Sequence, residues 1–160
     1  MTTLQIDETY AGLSVAPPTP TAESQPWWDA LREGRFTVQS CAACGTAQGY
    51  PRTRCVRCWS GDLSFGAASG RGELVTHSEV HRPGQASWAA IAPFHVGLVR
   101  LDEGATLLTH LRTDDLPGAR PPRVGDACRV ELTRVGDWVL PFFRVEPPAS
   151  TPTNERHGHG

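Results

Sequence analysis

The sequence predicts a mainly β protein, because two closely spaced cysteine pairs are followed by five short apolar segments separated by turn residues. Its 160 residues fit one domain with a small appendage, and a hydrophobic fraction of 39% supplies a modest core. A net charge of −2 does not indicate a strongly basic nucleic-acid binder. All 15 basic residues are arginine, so the composition excludes catalysis through a lysine Schiff base and a P-loop lysine.

The cysteine pairs have the spacing of a zinc ribbon: Cys41-Ala-Ala-Cys44, ten residues, then Cys55-Val-Arg-Cys58. Two residues between paired cysteines let both thiolates point inward from one tight turn, and two such turns give the tetrahedral four-sulfur set that zinc prefers. Four protein ligands leave no open position for water, so the predicted zinc is structural. Iron bound as in rubredoxin is the alternative, because its ligand set is the same. Trp59 follows the second pair, where a glycine is usual.

A short helix is predicted just before the cysteines, over residues 26–33. Pro26 suits its first turn and Gly34 its C-terminal end. Residues 35–40 alternate in polarity and predict a strand. The helix and the cysteine region together form the predicted ribbon, residues 26–66.

Five strands are predicted after the cysteines, and they favour a five-stranded OB-fold barrel over residues 67–146. A small incomplete sandwich is the alternative. Turn residues at Asp102-Glu103-Gly104 and Gly136-Asp137 mark two hairpins. The predicted strands are Leu74–Arg82, Phe94–Leu101, Ala105–Arg112, Ala127–Val135 and Trp138–Val145.

Both ends are predicted to be flexible tails, residues 1–25 and 147–160, because they are rich in proline, serine and threonine. His157 and His159 are interpreted as part of a frayed end rather than as a weak metal site. No apolar run approaches the roughly 20 residues that span a bilayer, and residues 1–25 lack the pattern of a signal peptide. The protein is therefore expected to be soluble and cytoplasmic, with no membrane contact.

Several side chains with reactive groups can be interpreted either as functional or as ordinary structural residues. Cys128 lies in step with apolar neighbours on a strand, which favours a core position over a catalytic thiol. His77, Glu79 and His81 share one strand face, which favours a solvated face over a second metal site. The arginines near the second cysteine pair either contact the phosphates of coenzyme A or form an ordinary charged loop: Arg52, Arg54 and Arg57.

Apolar residues also occur where turn residues are expected. The segment between Pro83 and Pro93 contains Trp88-Ala-Ala-Ile91. It either folds back on the barrel or is covered by a partner protein, since exposed apolar patches mark interaction sites. Trp27 and Trp28 pose the same choice, because adjacent residues cannot both face inward from one short helix. Trp27, Trp28, Trp88 and Ile91 are therefore the predicted partner contacts.

Together, these segments resemble the acyl-CoA-associated family of zinc-ribbon and OB-fold proteins, long catalogued as a domain of unknown function. The resemblance runs from Pro26 to Val145 and rests on the order and spacing of its motifs. These are Pro26-Trp27-Trp28-Asp29-Ala30-Leu31, Cys41-Ala-Ala-Cys44-Gly45, Tyr50-Pro51-Arg52, Cys55-Val-Arg-Cys58, Ser69-Gly70-Arg71-Gly72-Glu73-Leu74, Val80-His81-Arg82 and the hairpin from Val96 to Gly104.

The resemblance implies a non-catalytic helper subunit of a thiolase-superfamily enzyme, with no catalytic residue on this chain. Some similar proteins accompany acyl-CoA hydratases in steroid side-chain breakdown. With only a short tail before the helix, this chain is most similar to partners of lipid-transfer-type thiolases. The implied complex cleaves a steroid side-chain acyl-CoA by a retro-aldol reaction, and the partner holds most of the substrate. The alternatives are a nucleic-acid-binding protein, since OB-folds and zinc ribbons serve that role, and rubredoxin-like electron transfer.

Overall fold

A computed structural model describes residues 4, 6–114 and 116–146 of the chain. It contains one α-helix, α1 (Gln25–Arg32), and nine strands. Short 3-10 helices lie at Ala86–Ile91 and Pro117–Ala119. The strands are β1 (Ile6–Tyr10), β2 (Thr37–Cys41), β3 (Ala47–Gln48), β4 (Leu63–Ala67), β5 (Arg71–Val80), β6 (Phe94–Leu101), β7 (Thr106–Arg112), β8 (Ala127–Val135) and β9 (Trp138–Val145).

The ribbon is a small antiparallel sheet in the order β3-β2-β4, preceded by α1. The predicted helix is confirmed, with its limits shifted by one residue. It ends where Gly34 donates its backbone N–H to Leu31 O at 3.0 Å and adopts a positive φ of 76°. The Trp27 indole N–H donates to Thr37 O at 3.0 Å and joins the helix to β2.

The five strands predicted after the cysteines form a closed barrel, β5 to β9. Antiparallel pairing joins β8-β5-β6-β7, β7 pairs in parallel with β9, and β8 also pairs with β9. Because these pairings return the sheet to its starting strand, the OB-fold prediction is confirmed and the sandwich alternative is wrong. The main difference lies in β5, which begins three residues before its predicted start at Leu74.

Strand β1 lies in the segment for which a flexible tail was predicted, and that prediction is wrong for residues 6–10. Strand β5 pairs with β8 only over Ala127–Arg129, which leaves the rest of that β8 edge free. Strand β1 pairs in parallel with this edge, with Ile6 opposite Leu132. Unpaired backbone groups at such an edge carry a free-energy cost, and β1 satisfies them. The predicted C-terminal tail, with His157 and His159, lies outside the described residues.

One hydrophobic core runs through both ribbon and barrel. Phe36 of the ribbon contacts Phe143 of β9 edge to face, with ring centroids 5.9 Å apart. The Cys128 side chain is 1% exposed within this core, and burial raises the pKa of its thiol to about 12. The core prediction for Cys128 is therefore confirmed, since a reactive thiol needs exposure and a lowered pKa. Among the described residues, no helix is long and apolar enough to cross a membrane.

Candidate functional site

The four predicted metal ligands lie together at one end of the ribbon sheet. The sulfur atoms of Cys41, Cys44, Cys55 and Cys58 all lie within 4.8 Å of one another. The Cys41–Cys58 and Cys44–Cys55 sulfur pairs are each 3.6 Å apart. A tetrahedral zinc with bonds of about 2.3 Å needs sulfurs about 3.8 Å apart, so the sulfur set fits zinc with little adjustment. The site is a closed four-thiolate centre, and its zinc is structural.

Two equivalent backbone turns present these sulfurs. In each turn, the residue four positions after the first cysteine donates its N–H to that cysteine's carbonyl. Gly45 donates to Cys41 O at 2.8 Å, and Trp59 donates to Cys55 O at 3.1 Å. Both residues have positive φ, 73° for Gly45 and 63° for Trp59. The second turn therefore keeps the geometry of the first, although a bulky residue rarely adopts this conformation.

Hydrogen bonds tune the thiols unequally. The Thr46 hydroxyl lies 3.2 Å from the Cys44 sulfur, and hydrogen bonds from its hydroxyl and backbone lower the pKa of Cys44 to about 6. The backbone N–H of Ser60 favours the Cys58 thiolate, but the nearby sulfurs outweigh it and raise the pKa of Cys58 to about 12. Four adjacent thiolates repel one another, and a bound cation removes that repulsion.

A buried amide pair, which the sequence analysis did not identify, fixes the second turn against the sheet. The Gln48 Nε2 donates to the side-chain Oε1 of Gln39 at 2.8 Å, and that Oε1 also accepts the backbone N–H of Arg52 at 2.9 Å. The side-chain Oε1 of Gln48 accepts the backbone N–H of Val56 at 3.1 Å. Both glutamines lie on strands with mixed polarity, so only their burial and their bonding to the loop separate them from ordinary surface residues.

The three arginines near this turn are exposed. Arg54 donates to Trp59 O at 3.1 Å. Within the described ranges, none of Arg52, Arg54 and Arg57 forms an ion pair. Their charges therefore remain available to an anion, and phosphate contact stays a prediction.

The predicted partner residues occupy different environments. Trp27 is only 6% exposed and belongs to the core, so it presents little surface to another protein. Its neighbour Trp28 is half-buried and contacts Trp138 edge to face at 5.2 Å. Trp88 and Ile91 are half-buried on the 3-10 helix that follows β5. Partner contact by Trp28, Trp88 and Ile91 stays a prediction, and the structure assigns Trp27 to the core instead.

His77 in β5 and His81 just after it lie in different surroundings. His81 pairs with Glu79 at 3.2 Å in an exposed contact, whereas His77 contacts the His95 ring at 6.2 Å. In the part of the chain that the structure describes, the four cysteines are the only group of three or more metal-binding residues with ligand atoms this close. The solvated-face interpretation fits Glu79 and His81, which are exposed, but not His77, whose Nδ1 atom is buried without a hydrogen-bond partner in the described part of the chain.

An apolar cleft of about 550 Å³ lies between the helix, the 3-10 helix and the outer face of the barrel. Several of its lining residues were not predicted from the sequence, including His110, Leu108 and Phe142. The available signal was the mostly apolar character of β6 and β9, which is expected when both faces of a sheet are covered.

Comparisons with known proteins agree with this geometry. Residues 28–64 match the family model described as the ChsH2 rubredoxin-like zinc ribbon domain. Residues 66–133 match the ChsH2 C-terminal OB-fold domain. A probable enoyl-CoA hydratase alpha subunit from Thermomonospora curvata is 30% identical over 129 residues, 76% of this chain. The chain spans 37% of that relative's length.

Two solved structures share the fold. A chain of the structure titled Ltp2-ChsH2(DUF35) aldolase has a TM-score of 0.68 and 28% identity, with coverage of 81% of this chain and 98% of that one. A DUF35-family protein of unknown function from Sulfolobus solfataricus has a TM-score of 0.55 and 13% identity, with coverage of 78% and 86%. The second likeness concerns the fold alone. With both of its parts matched in order, the chain belongs to the ChsH2 zinc-ribbon and OB-fold family, the DUF35 family.

Proposed function

We propose that this chain is a non-catalytic helper subunit of a thiolase-like acyl-CoA enzyme complex. The observation that carries the proposal is the likeness, over 98% of its length, to a chain of the Ltp2-ChsH2(DUF35) aldolase. A retro-aldol cleavage of a steroid side-chain acyl-CoA is the reaction proposed for the complex. The thiolase-type partner supplies the acid and base groups and holds most of the substrate.

The chemistry of the described residues supports a helper role. Zinc bound by four cysteines has no position for a water molecule or a substrate. The remaining cysteine, Cys128, has a raised pKa and is buried. Neither group therefore provides a nucleophile or a Lewis acid for acyl-CoA chemistry.

Nucleic-acid binding is less well supported. Three aromatic residues of the OB-fold, Trp88, Phe94 and Phe142, lie in the apolar cleft, whose lining contains no arginine. A single-strand binding groove needs cations interleaved with aromatic side chains to neutralise phosphates. Three exposed arginines lie beside the zinc turn, Arg52, Arg54 and Arg57, and those on the barrel lie outside this cleft.

The test is to purify the chain alone, a candidate thiolase-type partner alone, and both after co-expression. We expect a stable hetero-oligomer by light scattering, and cleavage of a β-hydroxyacyl-CoA only when both chains are present. Replacing Arg52, Arg54 and Arg57 by glutamine should raise the KM of the complex for acyl-CoA, if these arginines contact its phosphates. Cleavage by this chain alone would contradict the helper role, as would full activity of the partner without it.

A further inference from the structure

Two histidines on neighbouring strands meet near the end of the β5–β6 pair. His77 of β5 pairs with Gly97 of β6, and Glu79 pairs with His95. Directly paired residues have their side chains on the same face of a sheet, and alternate residues of a strand share a face. His77, Glu79 and His95 therefore lie on one face, the same face that carries the buried Val99 further along β6. The sequence pattern around His77 did not include His95, because His95 comes from another strand.

The rings of His77 and His95 both carry a nitrogen without a partner. Their centroids are 6.2 Å apart, and their planes are inclined by 67°. The Nδ1 atom of each ring is buried, and neither forms a hydrogen bond with the described part of the chain. A buried nitrogen that lacks a partner costs about 1–3 kcal/mol. Two such rings in contact indicate that an ion or a water molecule satisfies them.

A carboxylate and an access path adjoin the two rings. Glu79 and His95, which are direct partners in register, both line a cleft of about 520 Å³. The Glu79 carboxylate is exposed and pairs with the exposed His81 at 3.2 Å. An exposed ion pair contributes little to stability. The Glu79 carboxylate can therefore turn towards His95 at small cost.

The other charged residues that line this cleft are already paired. Arg120 donates two hydrogen bonds to the Asp126 carboxylate, at 2.9 and 3.0 Å. Asp114 pairs with Arg112 at 3.1 Å. Glu79 is therefore the carboxylate of this lining that is held most weakly, and its charge favours entry of a cation.

We propose that His77, His95 and Glu79 form a site for a second metal ion, a divalent transition metal such as Zn²⁺. Imidazole nitrogens with one carboxylate oxygen suit such ions, whereas Mg²⁺ and Ca²⁺ prefer oxygen ligands alone. Nitrogens about 2.0–2.1 Å from one ion place two ring centroids about 5 Å apart. The observed separation of 6.2 Å is wider, so the rings must approach by about 1 Å when the ion binds.

This site differs from the cysteine centre in two respects. Three protein ligands leave a position for water or another ligand, whereas the four cysteines leave none. The ligand atoms also have to move together, so the second ion should bind more weakly than the first. The inference is independent of the proposed function, because all three residues belong to this chain.

The test uses the full-length chain, loaded with one zinc per chain, with His157 and His159 replaced by serine so that they do not compete for the added ion. Titration calorimetry with Zn²⁺ should show one further ion per chain with a Kd on the order of 10 µM. Long-range ¹H–¹⁵N NMR should show that the added ion shifts ring nitrogens of His77 and His95 and leaves those of His81 unchanged.

Single substitutions identify the ligands. His77→Ala, His95→Ala and Glu79→Gln should each weaken binding of the further ion at least about tenfold. His81→Ala is the matched control, because His81 is exposed and lies two residues from Glu79 but outside the proposed ligand set. It should bind the ion within about twofold of the parent chain. Glu79→Gln keeps the size of an exposed side chain, so it remains informative if a histidine variant does not fold.

Circular dichroism and the content of cysteine-bound zinc confirm that each variant folds. Absence of a further bound ion would overturn the inference, since water alone would then satisfy the two nitrogens. An added ion that leaves the ring nitrogens of His77 and His95 unshifted would also overturn it. So would unchanged binding by Glu79→Gln, or a loss in His81→Ala as large as in the three ligand variants.

Discussion

At the scale of single residues, Trp59 stands out because its backbone is left-handed and its indole is 73% exposed. A left-handed conformation costs a residue with a side chain about 1–2 kcal/mol, which glycine avoids. Little apolar burial offsets that cost here. Gly45 occupies the equivalent position in the first turn with no strain.

We therefore expect Trp59→Gly to raise the free energy of unfolding by about 1 kcal/mol with zinc bound. Urea titration followed by circular dichroism measures the change. Gly45→Ala is the matched control. Added bulk there meets no atom within 4 Å, so only the φ of +73° opposes it, and stability should fall by about 1 kcal/mol. A less stable Trp59→Gly variant would show that the indole makes a stabilising contact.

Only some residues of the site could be predicted from the sequence. The four cysteines were predictable because both members of each pair lie in one short turn, where spacing fixes geometry. The roles of Gln39 and Gln48 were not predictable, because they depend on burial and on hydrogen bonds to a loop. Gln39 bonds to a loop residue 13 positions later in the chain, and Gln48 to one 8 positions later. His110 was missed for the same reason, since its stacking partners come from three other segments.

At the scale of elements, β1 is held by charge as well as by backbone pairing. The Asp7 carboxylate accepts hydrogen bonds from Thr9 and from the Arg112 guanidinium, whose side chain is only 10% exposed. Burial opposes ionisation of Asp7, but the hydrogen bonds from Thr9 and the contact with Arg112 outweigh it and lower the Asp7 pKa below its usual 3.8. Arg112 also contacts Asp114 and Glu131.

We expect Asp7→Asn to destabilise the chain by about 1–2 kcal/mol at pH 7 and to speed amide exchange in residues 6–10. A lowered pKa means that the stabilisation is complete above pH 3.8 and is lost as the pH falls through the folded-state pKa. The difference between parent and variant should therefore shrink in acid.

Hydrogen exchange and urea titration between pH 3 and pH 7 test this prediction. Glu8→Gln is the control in the same strand, because Glu8 is 61% exposed in its pair with Arg134 and should contribute little. Equal effects of the two variants would contradict a specific role for Asp7.

The strand itself shows why element prediction failed at this point. Residues 6–10 have little apolar patterning of their own, and their pairing partner lies more than a hundred residues away. Strands β6, β8 and β9 were predicted at their observed limits, because turn residues bound them locally. Local signals therefore identified the barrel strands. The pairing of β1 depends instead on the tertiary structure, in which β5 leaves part of the β8 edge unpaired.

At the scale of the whole molecule, the ribbon and barrel form one core, which the division of the sequence at residue 66 did not predict. Trp28 meets Trp138, and Phe36 meets Phe143. Such contacts between distant segments have no periodic signature. Their consequence is that the ribbon and barrel should unfold together.

We expect that removal of zinc by a strong chelator lowers the melting temperature and leaves one unfolding transition. The ribbon should not unfold in a separate transition of its own. Metal binding and folding are coupled in such sites. Removing the zinc should therefore lower the free energy of unfolding by more than about 4 kcal/mol. Differential scanning calorimetry with and without chelator measures it, and Cys41→Ser should reproduce the effect.

Cys128→Ala serves as the control, because it removes a core thiol that is not a zinc ligand. That variant should keep one zinc per chain and respond to the chelator like the parent chain. A barrel transition unchanged by chelation would show that the ribbon and barrel fold independently.

The pairing of β1 with β8 also has a consequence for synthesis on the ribosome. Ile6 pairs with Leu132, so 132 − 6 = 126 residues separate the two partners in the chain. At about 5–20 residues per second, β1 is made roughly 6–25 seconds before its partner strand. During that interval the nascent chain carries a strand whose pairing edge on β8 has not yet been made.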